Sequence, residues 1–290
     1  MRPGNAWVAL VVGLATVLPA AGGSEPAPDV TALLTRVGQR VEHYYTRAQS
    51  IVAREAVRIQ PLAADLSPVG FGRRLAYELR ITWDPQDVPG TLPEATVLRE
   101  ILTVNGRAPR ESDEDGCMDP KPVSPEPLGM LLASRREEYT FSFAGTTRNI
   151  DGRAAVMLDY KPRAAGEADI QWKENCVTIS LPGRSRGRIW IDAATDDVLR
   201  LDDHLVGLFE FRVPRKQMPI GGPSSMVIER ADSSIRYRAV QFQEPEERLI
   251  LPASIETVTV IRGAGAPRVR ITQQLSDYRR FLTGGRLVNR

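Results

Sequence analysis

Histidine is nearly missing from this 290-residue chain, with His43 and His204 its only two. Nucleophilic hydrolysis needs a Ser or Cys poised beside a base, and the chain also lacks a Gly-x-Ser-x-Gly elbow. Asp202 and His204 share a strand face, which makes an Asp–His dyad or a two-ligand metal corner conceivable. No third ligand or nucleophile accompanies them, so polar residues on an outward strand face are the expectation. There is no Gly-x-x-x-x-Gly-Lys loop to cradle phosphates and no zinc-ligand spacing. These absences speak against most catalytic chemistries; neither a metal nor a cofactor is expected.

Lysine is scarce too, confined to Lys121, Lys161, Lys173 and Lys216. Positive charge is carried by scattered arginines, and 38 basic against 36 acidic residues leave a net charge of +2. Such a balance gives no electrostatic reason to meet nucleic acid. Arg184, Arg186 and Arg188, with Gly183 and Gly187, form a basic turn. At about 1 kcal/mol per charge it would attract anionic lipid only weakly, and a solvated turn is expected. The acidic run Glu111, Asp113, Glu114, Asp115 and Asp119 lacks the Gly and distal Glu of an EF-hand loop, which favours a solvated loop over a calcium site.

Cysteine is limited to Cys117 and Cys176. In an oxidising compartment an even count favours one structural disulfide, worth roughly 4 kcal/mol for a loop of this size. Two buried thiols or a redox pair are the alternatives, the latter without the close Cys-x-x-Cys spacing. The compartment is suggested by the N-terminus. Arg2 precedes an uncharged apolar run from Ala6 to Leu18, and Pro19-Ala20-Ala21-Gly22 offers small residues to a peptidase, the layout of a secretory signal. The run is short for a membrane span, which needs about 20 residues. A signal peptide over 1–22, cleaved near Gly22, a leader over 23–28 and a single domain over 29–290 are therefore expected, in the periplasm or secreted. An uncleaved anchor is the alternative.

After the leader, Asp29 can cap a helix whose apolar residues Val30, Leu33, Leu34, Val37, Val41, Tyr44 and Tyr45 fall on one stripe. His43 lies off the stripe and should be solvated. Period-two alternation then recurs: Leu75, Tyr77, Leu79, Ile81 and Trp83; Tyr139, Phe141 and Phe143; Val156, Leu158 and Tyr160; Ile189 and Ile191; Phe209, Phe211 and Val213; Val269, Ile271 and Leu275. Turn signals such as Asn105-Gly106, Asp151-Gly152 and Pro182-Gly183 separate these runs. The pattern predicts a mainly β fold, a meandering antiparallel sheet with one apolar face. Asp84 to Pro93 reads as an exposed loop. A second short helix is expected near Pro125 to Arg136, with Leu128, Leu131 and Leu132 on one side.

The segment Gly187 to Leu201, GRIWIDAATDDVLRL, resembles the strand–turn–strand unit of LolA-like proteins, and the tail Ile271 to Phe281, ITQQLSDYRRF, resembles their closing strand. The opening helix followed by Ser50 to Glu55 fits the group's order. Arg99 to Arg107, REILTVNGR, is similar to a motif of uncharacterised exported bacterial proteins. The resemblance implies a curved antiparallel sheet, an incomplete barrel, with an N-terminal helix and a short inserted helix covering the concave face. It also implies a periplasmic binding or carrier role for a lipidic or amphiphilic ligand, such as an acyl chain or lipoprotein, without catalysis. A relative in the superfamily instead senses envelope components and signals to a membrane partner. The ligand cavity expected from alternation and resemblance together comprises Tyr77, Leu79, Ile81, Trp83, Ile189, Ile191, Phe209 and Phe211. The rival expectation is a filled core in an envelope protein-interaction or scaffold module, with an envelope protein as partner.

Overall fold

The capping pattern at Asp29 is realised: its Oδ1 accepts hydrogen bonds from the backbone N–H groups of Thr31 at 2.9 Å and Ala32 at 3.2 Å. The computed structural model describes residues 28–47, 50–83, 95–113, 119, 126–173, 176–218, 222–243, 246–263 and 267–280. The expected signal peptide, the Asp84–Pro93 loop, Cys117 and part of the acidic run lie outside these. In chain order come α1 (Val30–Arg47), β1 (Ser50–Pro61), β2 (Arg73–Trp83) and β3 (Ala95–Val104). After two 3-10 helices, Glu111–Asp113 and Glu126–Leu131, and a third at Arg136–Glu138, follow β4 (Tyr139–Ile150), β5 (Arg153–Pro162), β6 (Asp169–Lys173) and β7 (Cys176–Ser180). The remainder is β8 (Ser185–Asp192), β9 (Val198–Leu205), β10 (Phe209–Arg212), β11 (Ser225–Gln243), β12 (Glu246–Arg262) and β13 (Arg268–Arg280). Among the described residues no helix is long and apolar enough to cross a membrane.

Eleven strands form one antiparallel sheet in the order β3-β2-β1-β13-β12-β11-β9-β8-β5-β4, with β10 paired to β11 off this path. The sheet does not close, because β3 and β4 lie at opposite edges. β6 and β7 pair only with each other. Asp151 and Gly152 turn β4 into β5 with φ of +50° and +79°, the two positive values that a two-residue hairpin favours.

The apolar stripe of α1 lies on one half of the concave face. Leu33, Leu34, Val37, Val41, Tyr44 and Tyr45 are buried with Leu79, Ile81, Leu158, Ile189, Ile191 and Leu201 of the sheet. Leu128, Leu131 and Leu132 join this core. Leu128 and Leu131 do so from a six-residue 3-10 helix and Leu132 from just after it, rather than from the longer helix that the sequence suggests. Pro127 and Gly129 explain the difference, one lacking a backbone donor and the other costing backbone entropy.

The strand–turn–strand segment Gly187 to Leu201 has a structural purpose here. Asp192, buried at the end of β8, accepts from the N–H groups of Ala194 at 2.8 Å and Thr195 at 3.2 Å. Asp197 accepts from Thr195 Oγ1 and Arg248 Nη2, both at 2.8 Å. Asp196, held at φ +58° between them, meets Arg36 of α1 at 2.9 Å. The turn thus fastens the helix over the sheet.

Candidate ligand groove

A helix of 18 residues is about 27 Å long, whereas the 19-residue β11 extends about 60 Å. α1 therefore covers only part of the concave face. The boundary is chemical. Across the face, register aligns Gly187 with Asp203, Asp203 with Ser233 and Ser233 with Thr257. The line continues diagonally to Gln273 and Glu55, whose side chains meet at 2.7 Å. Arg99 completes it, donating from Nε to Glu55 Oε2 at 2.9 Å, with its guanidinium 3.8 Å from the Tyr77 ring centroid. Small and polar side chains thus form a belt between two apolar regions.

On one side of the belt is the core beneath α1. On the other, the β6–β7 hairpin forms a roof. Register pairs Ile170 with Ile179 and Trp172 with Val177, so one face of the hairpin is apolar. That face packs against the cluster of Phe211, Ile228 and Ile261, with the Trp172 and Phe211 rings 6.4 Å apart. A two-stranded hairpin is marginal by itself, and this contact supplies the burial that it needs. Roof and sheet do not meet everywhere. A groove of about 730 Å³ lies between them, within the range of small-molecule sites. Its roof is Trp172, Val177, Ile179 and Leu181; its floor includes Leu205, Ala231, Ile261, Val269 and Ile271.

Polar groups enter the groove at few points. Asp203 accepts from the Tyr160 hydroxyl at 2.8 Å. Burial, opposed by the hydroxyls of Tyr160 and Ser185, holds its carboxyl above the ordinary aspartate range. Burial likewise pushes the Tyr160 phenol up. The pair needs Gly187, where a Cβ would lie 1.9 Å from the Asp202 carbonyl oxygen and 2.6 Å from the Tyr160 hydroxyl. Asp119 lies 3.3 Å from Arg73 and accepts from the Tyr77 hydroxyl at 3.5 Å. Arg184 stands at the rim, its guanidinium 5.3 Å from the Phe209 ring centroid.

The side chains expected from sequence to line a cavity fall into three places. Leu79, Ile81, Ile189 and Ile191 are packed in the core beneath α1. Tyr77 is buried with Leu75, Val57, Ile59, Val104, Val269 and Ile271. Phe209 and Phe211 pack with the roof and with residues of the groove. Trp83 ends β2, and its side chain lies outside the described residues. Ile170, Trp172, Val177 and Ile179 of the roof were not singled out by sequence. Their alternation on either side of Glu174-Asn175 is the signal that marks a short hairpin.

Asp202 and His204 do not form a dyad. Asp202 accepts from Arg200 at 2.7 Å and from Ser234 Oγ at 2.7 Å, whereas His204 Nδ1 lies 3.2 Å from Asp232. His43 is exposed and lies 3.6 Å from Glu247. Within the acidic run, Asp113 is bound by Arg107 at 2.6 Å, which holds its carboxyl down at about 2. Among the described residues no cluster of three His, Cys, Asp or Glu could hold a metal ion. In the basic turn, Arg188 is 2.6 Å from Asp159. Cys176, at the start of β7, is not a free thiol.

No protein-family model and no curated protein matches the chain. Two solved structures do. A DUF1329 family protein from Desulfovibrio piger is 12% identical over 88% of this chain and 94% of its own, with a TM-score of 0.37. A LolA superfamily protein from Nitrosomonas europaea is 8% identical over 89% of this chain and 97% of its own, with a TM-score of 0.34.

Proposed function

We propose that the chain is an exported, periplasmic binding or carrier protein for a lipidic or amphiphilic ligand, acting without catalysis as one domain over 29–290. The observation that carries this is the apolar groove of about 730 Å³ between the β6–β7 roof and the concave sheet. An acyl chain with about 14 buried methylenes would gain roughly 11 kcal/mol gross there, enough for useful affinity after the costs of ordering. Phe209 and Phe211 support the roof end of this site, and a Cys117–Cys176 bridge would tether the roof. Asp202 and His204 are held by different partners, which favours binding over hydrolysis.

Native mass spectrometry of the purified protein with an envelope lipid extract tests this. A bound lipidic mass is expected, and Ala231→Trp, which puts an indole into the groove, should abolish it while the β circular-dichroism signal is kept. A wild-type protein that takes up no amphiphile sinks the proposal. The second reading is an envelope protein-interaction or sensor module. It is favoured by the exposed Val69, Phe71, Val206 and Leu208, all in loops at the roof end of the sheet. An empty groove, together with a co-purifying envelope protein that Phe71→Ser releases, would support that reading instead.

A further inference from the structure

One side chain at the groove has no place on an apolar surface. Arg184 lies on the chain between roof and sheet, and its backbone is fixed on both sides. Gly166 N–H donates to Pro182 O at 2.9 Å, Arg184 N–H to Leu181 O at 3.2 Å, and Val206 N–H to Arg184 O at 2.8 Å. Gly183, at φ +69°, makes this possible, because a Cβ there would lie 2.2 Å from the Ala164 carbonyl oxygen.

So placed, the Arg184 side chain lines the groove and leans on the Phe209 ring. Its Nε is inaccessible to solvent and donates no hydrogen bond. Of the nearby arginines, Arg188 pairs with Asp159, Arg200 with Asp202 and Arg230 with Asp232, while Arg186 of the same turn has no ion pair among the described residues but lines a different surface. Among the described residues Arg184 makes no ion pair. A guanidinium keeps its proton, so Arg184 brings to the groove a positive charge without an ion-pair partner. The charge is answered by an anion that accepts from the terminal guanidinium nitrogens, a carboxylate or a phosphate.

The two acids of the groove have other partners. Asp203 takes its hydrogen bonds from Tyr160 and Ser185, and Asp119 lies beside Arg73. A ligand anion near either would be repelled, which leaves the Arg184 rim as its position and the space beneath the roof for the tail. We propose that the groove selects amphiphiles with one anionic head group, held by Arg184, and an apolar tail under Trp172 and Ile179. This rests on the carrier function proposed above and adds the chemistry of the head group.

Titration calorimetry with oleate, oleyl phosphate and oleyl alcohol tests the proposal on the purified protein. At least one anion should bind wild type about tenfold or more tightly than the alcohol, and the preferred anion tells carboxylate from phosphate. Arg184→Gln should remove that advantage, weakening the preferred anion far more than the alcohol, while Arg184→Lys keeps part of it. The head-group proposal is overturned if all three ligands bind wild type alike, or if Arg184→Gln weakens all three equally, since the residue would then serve packing. If none binds wild type, the carrier function itself falls and takes this proposal with it. Circular dichroism of each variant confirms that it is folded.

Discussion

Two isoleucines on opposite sides of the polar belt should respond very differently to truncation. Ile189 is fully buried beneath α1. Replacing it by Ala removes three heavy atoms from a filled space, so the loss of transfer free energy is joined by the cost of a new cavity. Such changes cost 2–5 kcal/mol, and the close packing around Ile189 places the expected loss at about 3–4 kcal/mol. Ile179 is half-buried and already borders the groove. Its truncation enlarges an existing space, which leaves only the transfer of partly exposed methyl groups, about 1 kcal/mol. For a domain of this size the melting temperature should fall by about 6–16 °C for Ile189→Ala and by about 2–4 °C for Ile179→Ala.

Equilibrium urea unfolding, followed by far-ultraviolet circular dichroism, measures both losses, provided that the m-value stays constant. Saturating oleate adds a second reading. At 100 times its dissociation constant it should stabilise wild type by about 2.7 kcal/mol. The same concentration should stabilise Ile189→Ala equally and Ile179→Ala less, because only Ile179 would touch the ligand. Equal losses of 3 kcal/mol or more in both variants would refute the reasoning, for the roof would then be packed as tightly as the core.

Gly187→Ala forces a Cβ against the Asp202 carbonyl and should lower stability by about 1–3 kcal/mol, read as a fall in the urea midpoint without loss of β structure. Asp203→Asn tests the raised carboxyl. The folded state holds this proton to higher pH than the unfolded chain does, so wild-type stability should fall as pH rises above the ordinary aspartate value of 3.8. The Asn variant should lose that downward slope and be at least as stable as wild type at pH 7, and an unchanged slope would assign it to other groups. Reductant should lower the melting temperature by about 8–16 °C if a Cys117–Cys176 bridge closes its long loop, and Cys176→Ser should abolish the response.

Much of the fold is legible in the sequence because its signals are local and strong. The stripe from Val30 to Tyr45 and the alternation from Leu75 to Ile81 each record a single buried face. The division of that face is not legible. Leu75 and Tyr77 share a strand face with Leu79 and Ile81, yet the first pair packs with β3 and β13 and the second with α1. Alternation reports which side a residue points to, never what lies opposite. Ile189 and Ile191 therefore read the same whether they line a cavity or fill a core. The groove also takes in Arg184, and nothing local in the run Arg184, Arg186 and Arg188 marks which of the three lines it.

If the chain carries a ligand as proposed, the unequal lengths of cover and sheet point to where it would enter. Opening the α1 side would uncover a continuous core and break the anchor from Arg36 to Asp196. The roof is different in kind. β6 and β7 form no ladder with the large sheet, so lifting them breaks no strand pairing and exposes only one narrow apolar face. A marginal hairpin loses stability when that face is wetted, which returns it to the sheet, while a tail lying beneath replaces the lost contact and makes the raised position tolerable. The same weakness of attachment that leaves the groove beneath the roof would thus provide the route by which the proposed ligand enters. A bridge placed across the roof and the sheet by a Leu181→Cys and Leu205→Cys pair, both lining the groove, makes this testable. Under oxidising conditions the pair should slow oleate uptake at least tenfold, and reduction should restore it. Unchanged uptake with the bridge formed would move the entrance away from the roof.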